Sequence, residues 1–414
     1  MNLAYLSWRN IWHKPLSTLL SIVLIAFGVG LLSMIFLFQD QFQEQFDKNQ
    51  AGVDLVVGAK GSPLQLILSS MFHVDSPTGN IKIGDAKFVF NPKHPLIDVA
   101  VPLSVGDSYR GFRIIGTDHR ILELYPAELH QGKLWSNGME VSVGYQVAKQ
   151  LNLQIGDEFY SSHGFNHGDL EHDEGEAFVV KGIFAAHGSV IDRLILCNTK
   201  AIWEVHEHHD HEHHHEVNDS SEQKAFSLLD YPEKSITSAL VRFKPDKRKT
   251  IPAINMPRGI NENTPIMATS PPYELNKLIA QVGSGLKTIQ YLAMIIALIS
   301  GLSIFISMFN KLKDRKYELG VMRIGGGSPG QLFRMMLIEA LIIGLIGGLI
   351  GLFLAHTGIW LISQLLEQNY NYGLSSTSFI REELWVLFLT LLISFLAAII
   401  PAWKAYRTDI IEQI

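Results

Sequence analysis

The chain has 414 residues, of which 47% are hydrophobic and 18% charged, and a formal net charge of −6 at pH 7. That balance is too apolar for an ordinary soluble protein and too polar for a carrier built wholly of spans, so it implies a few membrane helices plus a substantial water-exposed part. The acidic balance offers no basic surface to a nucleic acid, and a single cysteine excludes an internal disulfide and a Cys-based zinc site.

Residues 1–15 read as a cytoplasmic N-terminal segment carrying Arg9 and Lys14. A hydrocarbon core about 30 Å thick needs about 20 predominantly apolar residues of helix. Residues 16–38 supply the first such run, with no charge in it. It is too long for a signal-peptide core, and no small-x-small site closes it, so it reads as a retained anchor.

Residues 39–287 read as the external part: a helical stalk and a mixed α/β domain. Phe38, Phe42 and Phe46 recur at four-residue steps among Gln, Asp and Glu, which predicts an amphipathic helix prolonging the first span. Such a stripe packs on a second stalk helix, on a second copy, or on the domain it leads into. The stretch Val53–Gln65 contains Gly58, Lys60 and Gly61 without the spacing of a phosphate loop, and reads as a structural turn feeding a helix. Its place above the stalk leaves a ligand-gate role open.

From there the pattern has period two. Ile97–Val105, Phe112–Gly116, Glu140–Val143, Phe178–Phe184 and Ser238–Phe243 read as strands, bounded by Gly, Pro, Asn and Asp. Val143–Leu151 and Asn198–Val205 read as short helices, and Cys197 as a small core residue in the strand-like run Leu194–Cys197. His163, His167 and His172 form a sparse cluster beside Asp169, Glu171, Asp173 and Glu174.

A denser histidine tract occupies residues 204–216: His206, His208, His209, His211, His213, His214 and His215, among Glu204, Glu207, Asp210, Glu212 and Glu216. Neutral imidazole is the commonest zinc ligand and also suits copper and nickel, and carboxylates add ligands and acceptors to the outer shell. The tract reads as a mobile collector or sensor of Zn2+, with a solvated low-complexity insertion as the alternative. His211–His215 formally matches the zinc-protease pattern His-Glu-x-x-His. In a run this rich in histidine the match is nearly automatic and carries nothing.

Leu275, Leu278, Ile279, Val282 and Leu286 then recur at helical spacing, a second stalk segment leading back to the membrane. Residues 288–310 form the second span, 311–331 a cytoplasmic loop, 332–362 the third span, 363–383 a short external loop, 384–403 the fourth span and 404–414 a cytoplasmic tail. Orientation follows the Lys/Arg count. Lys311, Lys313, Arg315, Lys316 and Arg323 crowd the loop between spans two and three, whereas the loop between spans three and four carries Arg381 against Glu367, Glu382 and Glu383. Both termini therefore read as cytoplasmic. Gly344, Gly347, Gly348 and Gly351 mark a close helix–helix contact on the third span. Glu339 would cost about 2.5–3.5 kcal/mol at mid-membrane, so it is expected to face a protein neighbour or to sit near the cytoplasmic end.

The loop Asp314–Ser328, with Arg315, Glu318, Gly320, Arg323, Gly325 and Gly327, resembles the FtsX-family signature of a short amphipathic helix before a Gly-rich turn. The run Ile338–Gly344 is similar to that family's third span, and Ile400–Ala405 to its closing element. Gly144–Asp157 followed by Phe178–Phe184 resembles the core domain of MacB-type permeases. The resemblance implies an ABC transporter permease of the bacterial inner membrane that is no enzyme itself, because Gly325–Gly330 lacks the lysine of a phosphate loop. It implies ATP hydrolysis on a separate cytoplasmic ABC ATPase docked on the six loop residues just named, and a second permease copy, identical or paralogous, in a dimer. Mechanical work would pass to the external domain, in contact with membrane lipid and with a periplasmic metal-binding protein or lipoprotein. Metal handling, lipoprotein or peptide export, and a regulatory scaffold for an envelope hydrolase or sensor are the functions left open.

Overall fold

The computed structural model describes residues 5, 7–9, 15–50, 52–136, 138–163, 177–207, 227–314, 316–370 and 375–407. They fall into two compact units, Met1–Gln43 with Gln281–Ile414, and Glu44–Ala280.

The first unit is helical. It is built on α1 (Pro15–Gln50), α2 (Pro271–Asp314), α3 (Lys316–Ile324), α4 (Pro329–Tyr370) and α5 (Arg381–Tyr406), of which α1 and α2 extend past its limits. Pro15, Pro271 and Pro329 each open a helix, where the missing N–H would have had no intrahelical acceptor in any case. Helices α1, α2, α4 and α5 are each long and apolar enough to cross a membrane. At about 1.5 Å per residue, the 36 residues of α1 and the 44 of α2 exceed the length a hydrocarbon core requires. Each takes the amphipathic stripe and the apolar run beside it into one helix. Lys311, read from the sequence as a loop charge, lies inside α2. The pattern assigns it to a loop because a lysine ends an apolar run, but the helix continues to Asp314.

Glycine sets the contacts of α4. A Cβ on Gly347 would come 2.8 Å from Ile25 Cβ, and one on Gly351 would come 2.7 Å from Val29 Cβ, both on α1. On another side, a Cβ on Gly344 would strike Ser394 Oγ, and one on Gly348 would come 2.8 Å from Leu387 Cδ1, both on α5. The two overlapping pairs thus serve two different neighbours, letting the backbones approach where lipid supplies no hydrophobic drive.

The second unit is a mixed α/β domain. Its main sheet runs in the order Ile266–Thr269, Leu55–Ala59, Ser238–Phe243, Ile97–Tyr109, Phe112–Thr117, Leu194–Asn198, Glu140–Val143, Phe178–Phe184 and Leu129–Gly132. The strand Ile97–Tyr109 is its spine: the first part pairs antiparallel with Ser238–Phe243, the last part with Phe112–Thr117. Arg110 (φ 47°) and Gly111 (φ 84°) close the latter hairpin, a two-residue turn that needs positive φ at both positions. Ile114, Val141, Val180, Ile195 and Cys197 form one core, and Leu55, Val57, Ile97, Val241 and Ile260 another.

Two expectations are corrected. Val53–Gln65 is more than a turn feeding a helix: Leu55–Ala59 is a buried strand paired on both sides, through Val56–Leu240 and Val56–Thr269, before the helix Pro63–Ile67. The helix Ile251–Asn263 had no sequence signal because Pro252 and Pro257 interrupt its pattern. The helix expected from Val143 starts at Tyr145, since Val143 still pairs with Ile195. The Phe stripe divides: Phe38 and Phe42 stack at 5.7 Å, while Phe46 packs at 5.0 Å on Phe72 in the α/β domain.

Candidate coupling site

Helix α3 is short and two-faced. Tyr317, Val321 and Ile324 fall at i, i+4 and i+7 and are 74%, 51% and 62% exposed, whereas Gly320 is buried and Met322 packs against the helical core. Three large apolar side chains on the open face of a nine-residue helix form a surface ready to be covered. The turn that follows is built from backbone. The N–H groups of Gly325, Gly326 and Gly327 donate to the carbonyls of Val321, Arg323 and Met322 at 2.9, 3.1 and 2.9 Å. Gly326 has φ +94°, a conformation that any side chain would strain. Ser328 N–H then donates to Gln331 Oε1 at 2.9 Å and starts α4.

Beneath this helix lies a feature that the residue pattern does not disclose. Lys311 Nζ of α2 donates to Glu339 Oε1 of α4 at 2.6 Å, and the two side chains are 4% and 3% exposed. Around them stand Met308, Leu312, Leu332, Met335 and Met336, with Met322 of α3 against the same cluster. Glu339 was expected to find a protein neighbour; the neighbour is the lysine assigned to the loop.

A polar knot joins other parts of the same unit. Gln41 on α1 donates through Nε2 to Ser375 O at 2.7 Å and accepts the Ser375 N–H at 2.8 Å. His356 Nδ1 donates to Ser376 O at 2.7 Å, and its Nε2 lies 3.0 Å from Glu383 Oε1.

In the α/β domain, burial pushes the Cys197 thiol up, out of reach of ordinary titration, which fits a core role. Burial, helped by the charges of Arg113 and Arg193, lowers His73 to about 3.

Of the predicted coupling residues, Gly320, Arg323, Gly325 and Gly327 sit together on α3 and its turn. Glu318 lies within α3, while Arg315 is outside the described residues. Of the metal candidates, His206 lies within the helix Thr199–Glu207, and His208, His209, His211, His213, His214 and His215 lie outside the described residues, as do His167 and His172. Among the described residues no group of three His, Cys, Asp or Glu side chains is placed to hold a metal.

The helical unit with its buried lysine–glutamate pair and glycine-lined contacts, together with a mixed α/β domain, defines a helical membrane protein. The chain belongs to the FtsX-like permease family, whose C-terminal family model matches residues 291–410. It is 27% identical over 117 residues to an uncharacterized ABC transporter permease, YknZ, of Bacillus subtilis, covering 28% of either chain. It is 28% identical over 123 residues to the macrolide export ATP-binding/permease protein MacB of Hahella chejuensis, covering 30% of this chain and 18% of that one. The matches thus span less than a third of the length of either relative. Among solved structures, the periplasmic region of MacB from Actinobacillus actinomycetemcomitans aligns with TM-score 0.33 and 12% identity, over 56% of this chain and 95% of that one. The extracellular domain of YknZ aligns with TM-score 0.29 and 8% identity, over 52% and 98%.

Proposed function

We propose that this chain is the membrane subunit of an ABC transporter of the mechanotransmission type, driven by a separate cytoplasmic ATPase through α3. The observation that carries the reading is the open face of α3, Tyr317, Val321 and Ile324, on a helix strung between two membrane-length helices. In this reading both termini and α3 are cytoplasmic and the α/β domain is external, as the basic residues around α3 require. ATP is bound and hydrolysed on the partner, and closure of that partner moves α3 and, through α2 and α4, the membrane unit. A second copy of the permease, identical or paralogous, completes the complex.

The cargo we propose is a divalent metal, zinc first, gathered by the tract His206–His215, with an external metal-binding protein as donor or acceptor. Seven histidines among five carboxylates in residues 204–216 favour this reading. Export of a larger organic substrate is the second reading, favoured by the likeness to a permease named for macrolide export.

The test is ATP hydrolysis by the complex of this chain and its ATPase in lipid nanodiscs. Tyr317→Ser with Val321→Ser should release the ATPase from the membrane subunit while leaving the α/β domain folded; retained binding would refute docking on α3. Zinc should change the hydrolysis rate, and deletion of residues 206–215 should abolish that change. Indifference to zinc in the intact chain would remove the metal cargo and leave the export reading.

A further inference from the structure

We infer that Lys311 and Glu339 are positioning residues that pin the two helices flanking α3 in one register, so that force on α3 turns α2 and α4 together. The inference rests on the coupling reading for its purpose, but its geometry stands apart from it.

Residue 314 ends α2, and α4 begins at residue 329. Everything the partner does to α3 passes through those two attachment points. If α2 and α4 could slide past one another, a push on α3 would be lost in that sliding. The contacts that must resist it are mostly soft. Met308, Met335, Met336 and Met322 dominate the packing here, and methionine has flexible torsions and tolerates displacement. The Lys311–Glu339 contact is different in kind: short, directional and buried, it joins positions 28 residues apart in sequence. It lies near the C-terminal end of α2, where α2 leads into α3.

Stability alone is a poor reason for such a pair. Taking two charged groups out of solvent is expensive, and apolar replacements of like volume are often neutral or stabilising, while fixing register is the best-attested use of a buried polar contact. A pinned pair in a bed of methionines suits a joint. The pair holds register while the apolar surroundings let α3 tilt.

The experiment uses the full-length chain in nanodiscs, with spin labels at Tyr317→Cys on α3 and Leu345→Cys on α4, both exposed positions. The buried Cys197 does not compete for the label. The unsubstituted pair should give one narrow distance distribution. Lys311→Met with Glu339→Leu removes both polar groups together and should fold and insert normally, yet broaden the distribution. It should also lose most of the ATPase response while still retaining the ATPase. The exchanged pair, Lys311→Glu with Glu339→Lys, should restore both readouts, which a merely space-filling role would not predict. A distribution that stays narrow in the apolar double variant overturns the inference. Broadening in that variant, with no ATPase bound even by the unsubstituted chain, sustains the pin and refutes the coupling reading instead.

Discussion

Replacing Gly351 or Gly348 of α4 by alanine should have unequal effects, although the two glycines are three residues apart on one helix. At Gly351 the new Cβ meets Val29 Cβ at 2.7 Å, Ala26 O at 2.8 Å and Val29 Cγ1 at 2.9 Å, where ordinary contact begins near 3.4 Å. The shortfall is about 0.7 Å against a β-carbon and a backbone oxygen. Neither can turn aside, so α1 and α4 must move apart, and overpacking of this kind costs about 1–3 kcal/mol. At Gly348 the nearest atom, at 2.8 Å, is Leu387 Cδ1, the far end of a side chain that has other rotamers. That contact relaxes at less than about 1 kcal/mol. Both substitutions gain the same helix propensity, about 1 kcal/mol for alanine over glycine, and this term cancels in the comparison. Gly351→Ala should therefore be less stable than Gly348→Ala by about 1–2 kcal/mol, a factor of roughly 5–30 in the unfolding equilibrium. The assay is reversible unfolding of the full chain by SDS titration in mixed micelles, followed by helical ellipticity. Equal stabilities, or a greater loss at Gly348, would refute the assignment of these glycines to separate neighbours.

Three further outcomes follow from the α/β domain. His73 has a folded-state pKa of about 3 against 6.5, so between those values the unfolded chain binds the extra proton. The domain's stability should be fully present above about pH 6.5 and fall toward pH 3. The His73-dependent part is at most about 5 kcal/mol, and less because the residue is partly exposed. His73→Gln should flatten that slope in urea titrations at stepped pH, and an unchanged slope would exclude His73 as its source. The Asp192 carboxylate accepts the N–H groups of His187 at 3.0 Å and Gly188 at 2.7 Å, so Asp192→Ala should cost about 2–3 kcal/mol and lower the thermal midpoint of the domain by several degrees. Ile195 is fully buried at the middle of the sheet, and Ile195→Ala should cost about 2–5 kcal/mol in the same measurement.

The elements with strong periodicity were legible in the sequence because one physical demand dominated each. Phe178–Phe184 and Glu140–Val143 alternate because one face is in a core, and the four apolar runs are long because a bilayer is thick. Where two demands met, the pattern failed. Leu55–Ala59 looks like a turn because Gly58 and Gly61 stand in and beside it, yet Gly58 serves a strand. A Cβ there would strike Leu66 Cδ1 of the helix that packs across it. The proline-containing helix Ile251–Asn263 holds because Ala253 and Ile260 are buried and Asn261 exchanges hydrogen bonds with Ala268 across the return to the sheet. Those are tertiary contacts, with no trace in local propensity.

The coupling segment shows the same boundary at the level of function. Its open face could be read from Tyr317, Val321 and Ile324, because helical spacing depends only on neighbours in sequence. Its anchoring could not. A charge tally treats Lys311 as evidence for orientation and Glu339 as a penalty, each judged alone, whereas the fold makes them one object. The tally still gives the right side for the loop, because Lys313, Lys316 and Arg323 carry that argument without Lys311. What it omits is mechanical. A lysine counted as solvated offers α2 no hold on α4, while the same lysine placed 2.6 Å from a buried carboxylate ties them together. The distinction depends on 28 residues of intervening chain folding back, and this is why the sequence pattern discloses where a partner would dock more readily than how its force would travel.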